Sequence, residues 1–368
     1  MFENKSIIIG VSGGIAAYKT AYLVSALSKT EADVNVIMTE NACEFISPLV
    51  FETLTGNKCY VDTFDRNFKF DVEHISLAKK ADIFMIAPAT ANVIAKIANG
   101  IADDMLTTTF LASKCKKIVS PAMNTAMFEN QITQDNIAKL KKYGIGVIEP
   151  QNGLLACGDT GAGKMPEPDF LFDVIEREIA REKDMLGKKV LVTAGATMES
   201  LDPVRFLTNH SSGKMGFAIA KEAMLRGAEV TVVKANTTAE IPNFVNIVEV
   251  SSASEMFDEV TKRANQQDII VKAAAVADYT PESYVDSKIK KKDGDLSIPL
   301  KRTMDILKYL GENKKEGQFL CGFSMETDNM LENSKAKLSK KNADMIVANN
   351  LKDAGRGLKT DTNSVNNN

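Results

Sequence analysis

Residues 6–39 read SIIIGVSGGIAAYKTAYLVSALSKTEADVNVIMT, and their pattern indicates the fold of the first half of the chain. It holds a short β-branched apolar run, then an amphipathic segment long enough for a helix, then a second apolar run. A strand–helix–strand order of this kind is typical of a parallel βαβ unit. The stretch therefore predicts an α/β protein built on an open parallel sheet.

The same alternation continues along the chain with one interruption. Further strands are predicted at 82–88, 117–123, 146–150, 188–197, 228–235, 246–251, 268–277, 318–325 and 344–350. The interruption is the charged segment 166–189, which predicts a terminal helix followed by a linker. We therefore predict two tandem domains, 1–183 and 184–368, each a three-layer doubly wound α/β fold.

The composition excludes several classes of protein. The 368 residues, 44% hydrophobic and 25% charged, are enough for two globular cores, and a net charge of -3 argues against general nucleic-acid binding. The opening segment has too few apolar residues for a signal sequence, and no later run is long enough to span a membrane, so we expect a cytoplasmic protein. The five scattered cysteines form no CxxC pair, which favours reduced thiols and leaves metal ligands unassigned.

Glycine, small and hydroxylated residues follow three of the predicted strands in the first half. The turns are Gly10–Ala16, Ala87–Asn92 and Pro121–Phe128. Ligands of parallel sheets bind at the carboxyl ends of the strands, where a glycine turn lets backbone N–H groups approach a phosphate. The spacing is not GxGxxG, and each turn is also compatible with an ordinary capped helix start. Together the turns favour a site for a phosphorylated or aromatic ligand.

A histidine and a cysteine add reactive groups to this half. His74 is one of two histidines in the chain and opens a predicted helix, where an imidazole could meet a substrate; a surface histidine is the alternative. Cys157 stands in LLACGDTGAG, residues 154–163, which is too rich in glycine to pack as core. The motifs around both residues favour a functional role for them.

With these motifs, the first half resembles the flavin-containing cysteine decarboxylases, which have a flavodoxin-like fold. The marks of that family stand here as His74, PATAN at 88–92, PAMNTAMF at 121–128 and GLLACG at 153–158. Phe128 replaces the usual tryptophan of the family, and Lys164 replaces a common arginine. The resemblance implies that FMN oxidises the cysteinyl thiol, that the neighbouring carboxylate then leaves as CO2, and that the enethiol is reduced again.

The resemblance also implies roles for individual residues. His74 would be a base, Asn124 would hold the substrate carboxylate and amide, and Cys157 would be a proton donor on a mobile clamp with glycine hinges. The residues expected to bind FMN are Ser12, Gly13, Gly14, Thr39, Phe45, Pro88, Ala89, Thr90 and Asn92.

The second half carries another polar loop before a predicted helix. Residues 202–216 read DPVRFLTNHSSGKMG, a composition that suits an anion site beside Arg205, although a polar loop with a serine cap is the alternative. The small residues of AAAVADY, 273–279, leave room for a nucleotide near Asp278. Of the lysines at 288 and 290–292, most are expected on a solvated face, and one could serve a leaving pyrophosphate or an activated carboxyl group.

These motifs, together with KKNADMIVANN at 340–350, resemble phosphopantothenate–cysteine ligase. In that family CTP and 4'-phosphopantothenate form an acyl-cytidylate with release of pyrophosphate, cysteine then attacks, and Mg2+ travels with the triphosphate. The resemblance implies that Arg205 and Asn209 orient the carboxylate and that Lys288 serves the attack of cysteine. The other residues expected to contact CTP or line its site are Ala273, Ala274, Ala275, Asp278, Thr303, Met304, Asp305, Ile306, Phe323, Lys337 and Lys341.

The order of the two halves resembles the bifunctional CoaBC family of coenzyme A biosynthesis. That resemblance implies small-molecule substrates and a homo-oligomer, a dodecamer of decarboxylase trimers and ligase dimers with FMN at a subunit boundary. The family pattern continues past the last motif with a strand and a helix, whereas this chain ends at Asn368, so weaker folding or pairing of the second domain is expected.

Two rival hypotheses come from other classes. A regulatory or binding flavoprotein would not need the complete set of His74, Asn124 and Cys157. A pyridine-nucleotide reductase would carry GxGxxG after a strand and an acidic residue farther on, and the sequence lacks that fingerprint.

Overall fold

The computed structural model describes residues 2–64, 73–156, 158–290, 296–326, 330–350 and 365–367. The chain forms two compact units, Met1–Arg181 and Glu182–Asn368, each with its own parallel sheet. Among the described residues, no helix is both long and apolar enough to cross a membrane.

The first unit is built on a six-stranded sheet. Its strands are β1 (Ser6–Val11), β2 (Asp33–Met38), β3 (Cys59–Tyr60), β4 (Ile83–Ala89), β5 (Lys116–Pro121) and β6 (Gly146–Val147), and a separate hairpin holds β7 (Gln151–Leu154) and β8 (Thr160–Lys164). The helices are α1 (Ala17–Leu27), α2 (Glu40–Cys43), α3 (Pro48–Thr55), α4 (Glu73–Lys80), α5 (Ala91–Ala98), α6 (Met105–Ala112), α7 (Thr125–Glu129), α8 (Gln131–Lys142) and α9 (Pro168–Ile179). The sheet order is β3-β2-β1-β4-β5-β6, and all of its pairs are parallel.

The residues of β1 explain why helices cover both faces of this sheet. Ile7, Ile8 and Ile9 are all fully buried, although successive side chains of a strand point to opposite faces. A Cβ at Gly10 would lie 2.5 Å from Leu106 Cδ1, so α6 lies directly against the strand. Strands buried on both faces have continuous apolar runs, and the predicted doubly wound sheet is confirmed.

The second unit repeats the arrangement on a seven-stranded sheet. The strands of the unit are β9 (Lys189–Ala194), β10 (Met198–Ser200), β11 (Phe206–Thr208), β12 (Glu229–Lys234), β13 (Asn246–Glu249), β14 (Ile269–Lys272), β15 (Tyr279–Pro281), β16 (Leu300–Arg302), β17 (Phe319–Glu326), β18 (Met345–Asn350) and β19 (Val365–Asn367). The helices are α10 (Lys214–Leu225), α11 (Ala253–Ala264), α12 (Ile306–Glu312) and α13 (Met330–Lys340). The order is β13-β12-β9-β14-β17-β18-β19, with only the β18–β19 pair antiparallel, and this predicted doubly wound sheet is confirmed as well.

Alternate residues of β9 face different helices in this unit. Val190 and Val192 pack in one cluster with Phe217 of α10, and Leu191 packs in a second cluster with Ile306 of α12. Both clusters lie on the central strands, so the loops at the carboxyl ends of β9 and β14 rest on a rigid base.

Several strands are shorter than predicted, and three hairpins were not predicted. The predicted strand 268–277 ends at Lys272, because Ala275 N donates to Gly195 O and Ala277 N donates to Thr197 Oγ1 instead of continuing the ladder. The hairpins are β7–β8, β10–β11 and β15–β16. The sequence also led us to expect weaker folding or pairing of the second domain, because the chain ends at Asn368. Most residues at that end, 351–364 and 368, lie outside the described residues.

Candidate active sites

In both sheets the strand order reverses beside the first strand, between β1 and β4 and between β9 and β14. Doubly wound sheets bind their ligands at such a switch point, outside the carboxyl ends of the strands. The loops that follow these four strands are therefore the places where the predicted site residues should gather.

Ser12 joins the two loops at the switch point of the first unit. Its side chain is fully buried, its Oγ lies 2.8 Å from Pro88 O, and it accepts a hydrogen bond from Thr90 N at 3.0 Å. Pro88 and Ala89 are themselves buried, so they shape the wall and present no polar side chain. Thr90 begins α5 by accepting from Val93 N. The two predicted motifs therefore form one connected structure.

The glycine turn ahead of α1 leaves backbone donors open. Within the described part of the chain, the N–H groups of residues 13–16 donate to no acceptor. A Cβ at Gly13 would lie 2.8 Å from the backbone of Asn41, whereas the space beside Gly14 is free to 3.7 Å. Open N–H groups before a helix form a cradle for an anion, and only glycine fits the first of these positions.

Three further predicted residues border this edge of the sheet. Thr39 follows β2, and its hydroxyl accepts from Ala42 N to cap α2. The Phe45 ring is 53% exposed, and Asn92 is exposed on α5. An uncovered aromatic ring on the segment that follows Asn41, which packs against Gly13, suits a planar ligand that carries a phosphate.

Asn124 connects the β5–α7 turn to the β7–β8 hairpin. Its Oδ1 accepts from Ala126 N at 2.8 Å and caps α7, and its Nδ2 donates to Asp159 Oδ2 at 2.8 Å. The neighbouring Met123 N donates to Gly163 O at 3.1 Å. Cys157 itself lies outside the described residues. Residues on both sides of it belong to a tight turn, in which Leu155 N donates to Asp159 O at 2.8 Å. The turn that carries the cysteine is thus bonded to Asn124.

His74 is not bonded to that group among the described residues. It is the second residue of α4 and is half-buried. Among the described residues, no hydrogen bond or ion pair joins it to the Ser12 turn, Asn124 or the hairpin. The structure therefore brings Ser12, Thr90 and Asn124 to one edge of the sheet without placing His74 against them.

In the second unit, two threonines join the loops at the switch point. Thr193 Oγ1 accepts from Ala274 N at 3.1 Å, and Thr197 Oγ1 accepts from Ala277 N at 3.0 Å. Asn209 Nδ2 donates to Ala275 O at 3.3 Å, which brings the 202–216 loop to the same place. The three predicted alanines are half-buried.

Asp202 fastens the loop of Arg205 to the loop of Lys288. Its buried carboxylate accepts from Ile289 N at 3.0 Å and from the N–H groups of Val204 and Arg205 at 2.8 Å. The hydrogen bond from Ile289 N–H is the main cause that holds the pKa of Asp202 below its usual value, and the other two N–H groups contribute. Arg205 also donates to Ile289 O at 3.1 Å. Lys288, one residue before Ile289, is exposed at this edge.

The predicted residues near α12 form three bonded pairs. Thr303 N donates to Asp278 O at 3.0 Å, and Lys337 Nζ donates to Phe323 O at 2.8 Å. Asp305 caps α12 and pairs with Lys341. Burial opposes ionisation of Asp305, but these hydrogen bonds outweigh it and lower its pKa.

The remaining two predicted residues in this region differ in exposure. Met304 is exposed, whereas Ile306 packs in the core beneath the site.

Three charged residues at the carboxyl edges of the two sheets were not predicted from the sequence as site residues. Asp159 stands next to the glycine after Cys157, and Asp202 opens the polar loop. Lys272 ends a strand that is otherwise apolar, and a charge in such a run is the signal that could have found it.

Comparisons with known proteins divide the chain at nearly the same place. Residues 1–180 match the family described as Flavoprotein, and residues 185–367 match the family described as DNA/pantothenate metabolism flavoprotein C-terminal domain. The chain is 46% identical over 368 residues to the coenzyme A biosynthesis bifunctional protein CoaBC of Bacillus subtilis, covering 99% of this chain and 90% of that protein. It is 44% identical over 360 residues to the CoaBC of Borreliella burgdorferi, covering 97% and 92%.

Two solved structures are similar to one half each. The C-terminal domain of a CoaBC protein is 48% identical, with a TM-score of 0.40, over 45% of this chain and 78% of that one. A PPC decarboxylase mutant complexed with pantothenoylaminoethenethiol is 31% identical, with a TM-score of 0.43, over 46% of this chain and 96% of that one.

Proposed function

The chain belongs to the CoaBC family of bifunctional coenzyme A biosynthesis proteins, with a decarboxylase and a ligase activity, and we propose how its two sites divide the work. The second unit joins 4'-phosphopantothenate to cysteine with CTP. The first unit decarboxylates the resulting 4'-phosphopantothenoylcysteine to 4'-phosphopantetheine with FMN. The observation that supports this division most directly is the gathering of each motif set at the switch point of its own sheet.

The first unit fits FMN in two respects. The open N–H groups of residues 13–16 suit the phosphate, and the exposed Phe45 ring suits a planar ring system. Ser12, Gly13, Gly14, Thr39, Phe45, Thr90 and Asn92 would hold the cofactor, with Pro88 and Ala89 as the buried wall. When bound, FMN supplies the electron transfer that lets the carboxylate leave as CO2.

The residues of the hairpin and of the β5–α7 turn would position the substrate. Asn124 presents an amide at the turn, and its bond to Asp159 keeps the hairpin over it. Closing the hairpin would exclude water and bring the Cys157 thiol into place to donate a proton to the product carbon. His74 would act as the base, and the lack of a bond between it and Asn124 among the described residues is compatible with a site to which a neighbouring subunit contributes.

The loops of the second unit would activate a carboxylate and then form an amide. A carboxylate oxygen of 4'-phosphopantothenate attacks the α-phosphorus of CTP, and the bond to pyrophosphate breaks. The amine of cysteine then attacks the acyl carbon, and CMP leaves. Arg205 and Asn209 would orient the carboxylate, and Lys288 would stabilise the charge that develops during the second attack.

The nucleotide would lie between the alanine loop and α12. Ala273, Ala274 and Ala275 form the floor, and Thr303, Met304, Asp305, Phe323, Lys337 and Lys341 stand around it, with Ile306 as support from below. Asp278 is the carboxylate nearest to the alanine loop in sequence and is exposed. Among the described residues, no cluster of three acidic, histidine or cysteine side chains could hold a metal alone. Mg2+ bound through the triphosphate and one carboxylate fits this donor set.

We also propose a homo-oligomer, a dodecamer of decarboxylase trimers and ligase dimers, in the cytoplasm. Large apolar side chains are exposed on each unit, including Ile15, Tyr18 and Tyr22 in the first and Phe206 in the second. Apolar surface of this kind is typical of contacts between subunits. Light scattering on the purified protein should give a mass near twelve chains of 40.1 kDa, and a monomer would overturn the proposal.

The experiment that tests the division of work supplies each unit with its own substrate. The purified protein should carry FMN, recognised by its absorption, and should release CO2 from 4'-phosphopantothenoylcysteine without CTP. Pyrophosphate release should require both 4'-phosphopantothenate and CTP. Protein that binds no flavin under any condition would contradict the role of the first unit, and pyrophosphate release without 4'-phosphopantothenate would contradict the role of the second.

A further inference from the structure

Lys272 is a buried lysine at the carboxyl end of β14, and no described residue pairs with it. Lys272 is 8% exposed. The strand register places it between Thr193 of β9 and Gly322 of β17, in the middle of the sheet. Among the described residues its ammonium group makes no hydrogen bond and no ion pair. A buried charge without a partner is costly, so a residue of this kind calls for an explanation.

The direction of the side chain follows from the strand. Ile270 and Ala274 pack in the cluster that contains Ile306 of α12 and Leu338 of α13, and alternate residues of a strand share a face. Lys272 therefore faces α12 and α13, directly below the alanine loop at which the nucleotide is proposed to bind.

The charges around Lys272 leave it in need of an anion. Burial lowers the pKa of Lys272 to about 7; Asp305 opposes this shift, and Lys337 adds to it. Asp305 is the carboxylate that attracts it, but that group already accepts from Lys341 and from Lys308 N–H. The carboxylate that attracts Lys272 is thus already engaged, and the described residues supply no other hydrogen-bond acceptor for the ammonium group.

We propose that Lys272 binds the phosphate chain of the nucleoside triphosphate in the ligase site, a proposal that rests on the ligase function above. The small side chains of Ala273 and Ala274 allow phosphate oxygens to approach the floor, where an ammonium can donate to them. Binding would give the ammonium group an acceptor that none of the described residues provides. Lys272 is then a residue whose presence weakens the folded protein without nucleotide and strengthens the complex.

If Lys272 had only a structural role, its replacement would affect stability but not nucleotide affinity. If the Lys272 stem served only to fill the core, replacing it with methionine would leave nucleotide affinity unchanged. The two accounts therefore differ in nucleotide binding and not only in stability.

The test uses Lys272→Met in the full-length protein, with titration calorimetry and thermal unfolding. We expect the variant to melt at a higher temperature than wild type without nucleotide, because it removes the amine whose desolvation on folding lowers its pKa. We expect it to bind CTP and inorganic pyrophosphate about tenfold more weakly or worse, the usual loss for a hydrogen bond to a charged group. Binding of cytidine, which has no phosphate, should not change.

A matched control is Lys314→Met. Lys314 is also largely buried, but it pairs with Asp344 at 2.8 Å, beside the amino ends of β17 and β18. This change should lower the melting temperature and leave CTP affinity as it is. Lys272→Gln serves as a second variant at the tested position.

The outcomes separate the new proposal from the function it rests on. Equal CTP and pyrophosphate affinity in wild type and both Lys272 variants would overturn the role of Lys272 while leaving the ligase intact. A weaker binding of cytidine would overturn a contact to the phosphates. Failure of both variants to fold would contradict the claim that the charge weakens the protein without nucleotide. A wild-type protein that binds no CTP would overturn the ligase function itself.

Discussion

At the scale of single residues, the Asn124 side chain makes hydrogen bonds to two elements, α7 and the β7–β8 hairpin. Its carbonyl oxygen caps α7, and its amide nitrogen donates to Asp159 in the hairpin. The cap alone is worth about 1 kcal/mol in typical helices. The bond to Asp159 matters more for function, because it connects the turn that carries Cys157 to the edge of the sheet.

Asn124→Asp separates these two contacts. The carboxylate can still cap α7, but it would stand beside Asp159, and like charges at that distance repel. We expect the hairpin to open, CO2 release to fall at least tenfold, and pyrophosphate release by the other unit to stay normal. Limited proteolysis of the hairpin checks the opening.

The double variant Asn124→Asp, Asp159→Asn is the control for that prediction. It restores a carboxylate–amide pair with the polarity reversed, so protection of the hairpin from proteolysis should return. A hairpin as protected in the single variant as in wild type would contradict the role given to this contact.

Asp202 gives a prediction with a defined pH dependence. Because hydrogen bonds lower its pKa in the folded protein, its contribution to stability is present above the ordinary pKa of about 3.9 and is lost as the pH falls through the lowered value. Both carboxylate oxygens of Asp202 accept from backbone N–H groups, so in Asp202→Asn the side-chain NH2 would face a backbone N–H and lose that hydrogen bond. We expect the variant to be less stable at neutral pH, to change less on acidification below about pH 4, and to slow amide formation more than nucleotide activation.

Glu249→Gln is the matched control for Asp202. This exposed carboxylate also has a lowered pKa, chiefly through the hydrogen bond from Lys234, but it ties no loops together. Its removal should leave both half-reactions unchanged. A variant at Asp202 that slows both half-reactions equally would contradict a role in positioning Lys288.

At the scale of elements, the β7–β8 hairpin depends on close contact with the β5–α7 turn. A Cβ at Gly161 would lie 2.6 Å from Thr125 Oγ1, so the hairpin packs where no side chain fits. Gly161→Ala should therefore push the hairpin away, with slower CO2 release and retained FMN. Turnover and flavin absorption measured on the same sample check both parts.

Gly153→Ala provides the comparison in the same hairpin. A Cβ there would lie 3.6 Å from Lys164 Cδ, an ordinary contact, so activity should be close to that of wild type. Equal loss of activity in the two variants would show that the close contact at Gly161 is not what matters.

These elements also mark where sequence reasoning ends. The continuous apolar runs of β1 and β9 fix strands buried on both faces, so both sheets were predictable. The residues after parallel strands must meet at one edge, so the loops at which the candidate sites are proposed were predictable too. The bond between Asn124 and Asp159 spans 35 residues and depends on how a hairpin folds back. Lys272 has no partner among the described residues because the nearby carboxylate of Asp305 already accepts hydrogen bonds from Lys341 and Lys308 N–H. Contacts of this kind between distant segments leave no local pattern in the sequence.

At the scale of the whole molecule, each unit has its own sheet, core and motif set, so the two activities should be separable by single substitutions. Lys288→Gln should slow amide formation and leave decarboxylation of supplied 4'-phosphopantothenoylcysteine at the wild-type rate. His74→Asn should do the reverse. Rates of both reactions measured on each variant check this, and a variant that stops both reactions while keeping its flavin and its fold would contradict independent sites.

The central claim is that one polypeptide carries out both steps in sequence. The most direct measurement incubates the flavin-loaded protein with 4'-phosphopantothenate, cysteine and CTP and follows pyrophosphate and CO2 together. The account predicts that CO2 appears after a lag, approaches one molecule for each pyrophosphate released, and accompanies 4'-phosphopantetheine. Pyrophosphate without any CO2, or CO2 formed when CTP is omitted from this mixture, would contradict it.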